Sequence, residues 1–138
     1  MRSGNIRALA VLSAAMVLAG GVETATAHEF EDETSLTIKA VRGEELKNGV
    51  RFVFKGKLKA PHKFCRKKSE VLLIRIFKNK PNKVVGSDLT NWQGAYKFAK
   101  KVTNKRTYRT KFNGKAGGVH PHRHVCFKST SKKVTVKP

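Results

Sequence analysis

Acidic residues are scarce in this chain, and their scarcity excludes several kinds of enzyme. The 138 residues include 9 Asp or Glu against 30 Lys or Arg, a formal net charge of +21. After Glu45, only Glu70 and Asp88 carry carboxylates. The chain therefore has almost no acidic residues from which a catalytic pair of carboxylates could form. A calcium site around Asp88, Thr90 and Asn91 would likewise lack acidic partners.

Long apolar runs are also lacking. The main apolar stretch, residues 8–20, has 13 residues and is too short for a helix that spans a bilayer. Arg2 and Arg7 precede it, and Ala25-Thr26-Ala27 follows it, which is the pattern of a signal peptide (residues 1–27) cleaved after Ala27. The sequence thus predicts a secreted, extracytoplasmic protein with no integral membrane segment after cleavage.

Cysteines are few, since Cys65 and Cys126 are the only two. An even number of cysteines in an exported chain predicts a disulfide. Its loop of about 60 residues would stabilise the fold by about 4 kcal/mol through the entropy of the unfolded chain. A bridge leaves no thiol nucleophile, and no Gly-rich phosphate loop stands between a strand and a helix. We therefore predict that the protein is not an enzyme and binds no cofactor.

Past residue 27 the sequence predicts one domain of high positive charge. Removing Arg2, Arg7 and Glu23 leaves 28 basic and 8 acidic side chains, a net charge of +20. Four of these acids lie in residues 28–33, which have the composition of a loosely held acidic arm. The predicted domain, residues 34–138, keeps 28 bases against 4 acids. Because solubility needs a net charge of only about 2–8, the excess favours a polyanion-binding surface.

Short stretches of alternating apolar and polar residues indicate strands, separated by turn residues about every eight to twelve positions. The predicted strands are residues 36–40, 50–59, 71–77, 84–85, 96–101, 108–112, 125–127 and 133–137. Segments 44–49, 87–94 and 113–118 are predicted as turns or loops. We expect an all-β fold, a single antiparallel β-sandwich of seven or eight strands with one disulfide.

Three local motifs resemble those of small secreted sandwich domains. The stretch "GSDLTNWQGAYKF" (residues 86–98) is similar to the T-D-x-x-G-x-Y/F-x-F turn of transthyretin-like, carboxypeptidase-regulatory-like and Cna-B-type (Ig-like) domains. "RTYRTKF" (residues 106–112) resembles their G-x-Y-x-A/V strand, with Tyr108 in the place of the aromatic that pins a sandwich corner. A late cysteine before "STSKKVTVKP" (residues 129–138) completes the resemblance, which implies an architecture rather than an activity.

Basic residues on the outward positions of the predicted strands and in the connection before residue 69 are the candidate polyanion-binding residues. They are Arg51, Lys55, Lys57, Arg66, Lys67, Lys68, Lys97, Lys101, Arg109 and Lys111. The expected partner is an anionic polymer or envelope surface: teichoic acid, lipopolysaccharide, an acidic glycan or extracellular nucleic acid. The alternative is a structural or accessory domain that binds a protein partner and uses its charge for solubility.

Aromatic residues mostly occupy inward positions, but Trp92 lies in the middle of a predicted loop. It either contacts a ligand by stacking on a sugar or base, or covers the end of the sandwich as a lid.

Three histidines alternate in "HPHRHVC", at His120, His122 and His124. Residues two apart on a strand share a side, so these imidazoles could converge on zinc, copper or nickel in a secreted metal-binding protein. Against this, Pro121 interrupts strand pairing, no acid lies nearby in sequence to orient an imidazole, and the positive field disfavours a dication. A polar loop that leads into the strand of Cys126 is the favoured interpretation.

Overall fold

A computed structural model describes residues 28–119 and 122–138. These residues form an all-β protein with several sheets and one short helix, which confirms the all-β part of the prediction. The strands are β1 (His28–Asp32), β2 (Ser35–Leu36), β3 (Lys39–Leu46), β4 (Gly49–Lys59), β5 (Glu70–Ile76), β6 (Lys83–Leu89), β7 (Ala95–Val102), β8 (Arg106–Phe112), β9 (Lys115–Val119), β10 (His122–Cys126), β11 (Ser129–Thr130) and β12 (Val134–Val136), and the helix is α1 (Lys63–Arg66).

The predicted signal peptide, residues 1–27, lies outside the described residues, and so do His120 and Pro121 of the histidine segment. Within residues 28–119 and 122–138, no helix is long and apolar enough to cross a membrane.

The first large sheet has four strands, with β4 at its centre. Strands β2 and β3 pair with successive parts of β4 along one edge, and β7 pairs along the other, all antiparallel. Residues of β4 alternate strictly, because Val50, Phe52 and Phe54 are buried while Arg51 and Lys55 are exposed. The prediction of one apolar and one basic face is confirmed for this strand.

The second large sheet has five strands in the order β11-β8-β5-β6, with β12 also paired to β8. Strand β5 lies between β8 and β6, so the apolar run 71–77 occupies an interior position, as predicted. Val71 and Leu73 are fully buried, and a register shift follows Leu73. In β8 the buried positions are Tyr108, Thr110 and Phe112.

The two large sheets share one apolar core. Phe54 of β4 packs against Tyr108 of β8 with ring centroids 4.7 Å apart. The Tyr96 hydroxyl of β7 lies 3.1 Å from Thr110 Oγ1 and donates a hydrogen bond to the Thr37 carbonyl. Burial raises the pKa of Tyr96 above its ordinary value, and the hydrogen bond with Thr110 offsets part of that effect.

A third, three-stranded sheet was not anticipated. Strand β10 pairs antiparallel with β9 and parallel with β1. Segment 113–118 was predicted as a loop, but from residue 115 it belongs to β9, because Gly117 and Gly118 pair with β10 instead of forming a turn. The Cys65–Cys126 disulfide, predicted from cysteine number, is present and joins α1 to β10 with an S–S distance of 2.02 Å.

The acidic segment is a strand, so the prediction of a loosely held arm is wrong. Residues 28–32 form β1, and Asp32 is only 2% exposed. Its carboxylate accepts a hydrogen bond from the backbone N–H of His62 at 2.9 Å, and its carbonyl accepts one from the backbone N–H of Phe127 at 3.0 Å. These partners are 30 residues or more away along the chain, so local composition could not indicate them.

Candidate functional site

Three lysines form a row across the outer face of the four-stranded sheet. Lys39 of β3 lies directly opposite Lys55 of β4, and Lys55 lies directly opposite Lys97 of β7. Directly opposed residues of antiparallel strands point to the same side, and all three side chains are exposed. In the part of the chain that the structure describes, none of the three forms an ion pair.

Further cations continue this face in register. Arg51 of β4 is opposite Lys101 of β7, and Lys57 is opposite Ala95. Between the two basic rows lies an apolar row, Val41–Val53–Ala99, from the same three strands. The face therefore alternates a basic row, an apolar row and a second basic row. We call this surface the lysine face: Lys39, Lys55, Lys57, Lys97, Arg51 and Lys101.

A cleft of about 690 Å³ opens at one end of the lysine face. Its rim holds four lysines, and its apolar lining includes Ile38, Leu89 and Ala95. The cleft lies where β2 and β3 are separated, at Thr37–Ile38, and where Gly56 of β4 leaves room for the Thr37 carbonyl. The four rim lysines are Lys39, Lys55, Lys57 and Lys97.

One carboxylate also lines the cleft. Asp88 Oδ2 accepts the backbone N–H of Lys97 at 2.9 Å, which ties the edge strand β6 to the edge strand β7. The single acid is therefore engaged in a backbone contact, and the four lysines of the rim outnumber it. The cleft can attract an anion that also presents apolar surface.

The remaining predicted basic residues lie on two other surfaces. Arg66, Lys67 and Lys68 follow one another at the end of α1, where the Arg66 guanidinium donates to the Ala60 carbonyl at 3.1 Å. Arg109 and Lys111 lie on the five-stranded sheet, opposite Ile74 and Leu72 of β5. Both are half-buried, and Arg109 Nε has no hydrogen-bond partner among the described residues.

The single tryptophan is a surface residue. Trp92 is 64% exposed, so the hypothesis of a lid over the end of the fold is wrong. The hypothesis of a ligand contact stays a prediction. Strand β6 runs to Leu89, so the loop that holds Trp92 is shorter than the predicted segment 87–94.

The histidine segment belongs to an aromatic cluster. Phe30 stacks on His124 with centroids 4.9 Å apart, His62 packs edge-on against His124 at 4.9 Å, and Phe64 stacks on its ring at 5.4 Å. His62 Nδ1 lies 2.6 Å from Asp32 Oδ1, so an acid orients the imidazole of His62, which is not one of the three histidines of the segment.

The metal hypothesis for His120, His122 and His124 stays a prediction, because His120 lies outside the described residues. No group of three or more His, Cys, Asp or Glu that could hold a metal ion occurs within the described ranges, from which His120 is missing. His122 and His124 share one side of β10, but Phe30 lies against both of their rings. His124 Nδ1 is buried without a hydrogen-bond partner among the described residues.

Lys115, absent from the predicted site, closes the cluster on the side of α1. Its ammonium donates to the carbonyls of Phe64 (2.8 Å) and Lys67 (2.7 Å) and lies 4.5 Å from the centroid of the Phe64 ring. Burial lowers its pKa below the ordinary value, and repulsion from Lys67 lowers it further. Lys115 lies in the segment 113–118 that was predicted as a loop, and its partners Phe64 and Lys67 are 51 and 48 residues away, so no local pattern indicated its structural role.

Lys39 and Leu89 were also missed as site residues. Alternation within residues 36–40 was a sufficient signal for an outward Lys39, whereas the opposition of Lys39 and Lys55 depends on strand pairing.

No protein family, curated protein or solved structure matches this chain. Its function is therefore inferred from its own geometry and charge.

Proposed function

We propose that the protein is an exported, non-catalytic binding module whose lysine face binds anionic polymers or an anionic envelope surface. The observation that carries this proposal is the exposed row Lys39–Lys55–Lys97, in which like charges lie directly opposite one another. Like charges in this arrangement destabilise a sheet. Binding of an anionic polymer would neutralise this repulsion, and the release of the polymer's counterions would favour the complex.

The location of the charges supports binding rather than solubility alone. Charges that serve solubility work best with both signs interspersed, yet the row has no acidic neighbour in register on β3, β4 or β7. Among the described residues, the ion pair that β3 forms, Arg42 with Glu45 at 3.7 Å, lies towards the other end of the strand. The row is thus a local concentration of one sign.

The same proposal includes export and a sandwich architecture. The Cys65–Cys126 disulfide is consistent with an oxidising location outside the cytoplasm. The core shared by the two large sheets, through Phe54–Tyr108 and Tyr96–Thr110, supports face-to-face packing of the transthyretin-like or Ig-like kind.

Heparin affinity as a function of salt tests the binding proposal. A variant with Lys39, Lys55 and Lys97 changed to Gln removes three candidate contacts. The slope of log K against log salt should become shallower by about 2 to 3, since each anionic contact contributes about 0.7–0.9.

The matched control changes three exposed lysines in turns, Lys78, Lys105 and Lys132, to Gln. Both variants lose the same net charge, so a charge effect without a site would alter the two slopes equally. Equal slopes for the two variants would refute the lysine face as the binding site.

A further inference from the structure

The turn between β6 and β7 presents two exposed apolar side chains in a basic surrounding. Leu89, the last residue of β6, is 61% exposed, and Trp92, at the tip of the turn, is 64% exposed. The other exposed large apolar side chains of the described residues are covered to a greater extent, the next being Val84 at 53%. We call this pair the apolar tip. Exposed apolar surface rimmed by polar residues marks interaction sites, membrane contacts among them, and Leu89 and Trp92 are three positions apart in the chain.

The backbone that holds the apolar tip is closed by its own hydrogen bonds. Asn91 Oδ1 accepts the N–H groups of Gln93 (2.9 Å) and Ala95 (3.0 Å), and the Asn91 N–H donates to the Ala95 carbonyl at 3.0 Å. Gly94 has φ +90° and lies against the Leu58 carbonyl, where a side chain has no room. A ligand therefore meets an ordered turn, and binding requires little ordering of the backbone.

Cations flank the apolar tip on one side through α1. Thr90, which separates Leu89 from the turn, accepts the Lys68 N–H on its carbonyl at 3.0 Å and donates its own N–H to the Ser69 carbonyl at 2.9 Å. These bonds hold the exposed Lys67 and Lys68 beside the turn.

Cations flank it on the other side through the cleft. Leu89 and Asn91 line the cleft together with Lys57 and Lys97 of the lysine face. The apolar tip thus lies between two groups of exposed lysines. An apolar centre between cations is complementary to the surface of a lipid layer, in which headgroup phosphates lie next to hydrocarbon.

We infer that the apolar tip inserts into the interface of an anionic lipid layer while the flanking lysines contact its headgroup phosphates. The inference rests on the proposed function and specifies the ligand of that surface. Tryptophan favours the boundary between headgroups and hydrocarbon, and basic side chains near an anionic layer strengthen such binding. A soluble glycan or a nucleic acid would stack on Trp92 but would leave Leu89 in water.

Trp92 is the only tryptophan of the chain, so its fluorescence reports this one position. The protein is titrated with vesicles of phosphatidylcholine alone and of phosphatidylcholine with phosphatidylglycerol. The mixed vesicles should shift the emission of Trp92 to shorter wavelength and protect it from acrylamide, and phosphatidylcholine alone should do neither. Heparin, which carries sugar rings and charge without hydrocarbon, should bind with no shift.

Substitutions separate insertion from charge. Trp92→Ala and Leu89→Ser should each weaken binding to the mixed vesicles about tenfold. This is the change in affinity expected when the burial of one large apolar side chain is lost. Trp92→Ala, which does not line the cleft, should leave heparin affinity unchanged. Val84→Ser, in the same strand β6 and 53% exposed, is the matched control and should leave vesicle binding unchanged. Any protein that retains the apolar residues 8–20 could also bind vesicles through them. This contribution would be the same in the wild type and in every variant, so it would not account for a difference between them.

Two results would overturn the inference. One is vesicle binding without a shift in emission, and the other is an equal shift on heparin, which would assign Trp92 to a sugar chain. The proposed function has a separate readout, because it fails if heparin binding does not depend on the lysine face.

Discussion

The strongest consequence of the lysine row is that removing its central charge should stabilise the protein while weakening binding. Lys55 has a lysine directly opposite on both sides, whereas Lys39 and Lys97 each have one within the row. If each exposed like-charge pair costs a few tenths of a kcal/mol, Lys55→Gln should raise the free energy of unfolding by about 0.5 kcal/mol. Lys39→Gln and Lys97→Gln should give about half of that gain.

Urea unfolding at low ionic strength measures the gain, and heparin retention measures the loss of binding in the same proteins. Lys59→Gln is the matched control, because Lys59 is exposed on the same strand but lies opposite Ser35 instead of a cation. In about 1 M salt, where the screening length is about 3 Å, the gain from Lys55→Gln should disappear. A gain no larger than that of Lys59→Gln, or one that survives high salt, would contradict this account of the row.

Three further predictions concern the core and the disulfide. Replacing Cys65 and Cys126 by Ser should lower the free energy of unfolding by about 4 kcal/mol in urea titrations, because the bridge closes a loop with a sequence separation of 61. Because the pKa of Tyr96 is raised in the folded state, the folded protein keeps a proton that the unfolded chain loses above pH 10. Stability should then fall as pH rises past 10, less steeply in Tyr96→Phe. His62→Ala removes the side-chain hydrogen bond between His62 Nδ1 and the buried Asp32 carboxylate, leaves the backbone N–H bond in place, and should cost about 1–3 kcal/mol in thermal or urea unfolding.

Each of these has an outcome that would reject it. For the disulfide, two free thiols by mass measurement in the exported protein would be decisive. For Tyr96, identical alkaline slopes in the wild type and Tyr96→Phe would exclude its contribution. For His62, the neighbouring exposed Lys63→Ala serves as control, and an equal effect of the two substitutions would show that the Asp32 contact contributes nothing.

The strands that alternate clearly were predictable from the sequence. In β4 and β7 a buried apolar position follows an exposed basic one with period two, as for Phe98 after Lys97, and in β8 the buried residues Tyr108, Thr110 and Phe112 are two positions apart, so the inward residues could be read directly. The disulfide was predictable from cysteine number alone. These features depend on neighbours one or two positions apart, or on counting.

The third sheet and the arrangement of the site were not predictable in this way. Strand β9, "KAGGV", has neither alternation nor β-branched residues before its end, and β1 is mostly acidic. Each becomes a strand because β10 supplies its hydrogen-bond partners. The same holds for the row Lys39–Lys55–Lys97, whose members are 16 and 42 residues apart in the sequence (55 − 39 and 97 − 55).

The sequence by itself determined the all-β class, the inward positions, the disulfide and the excess of positive charge, because these follow from local period and from composition. The tertiary structure decided which charges share a face, that Trp92 lies on the surface, and that Phe30 packs against the histidines and Asp32 bonds to His62. The physical reason is that strand register and the contacts between distant segments place side chains next to one another. Those contacts depend on the packing of the whole core, and no short stretch of residues specifies them.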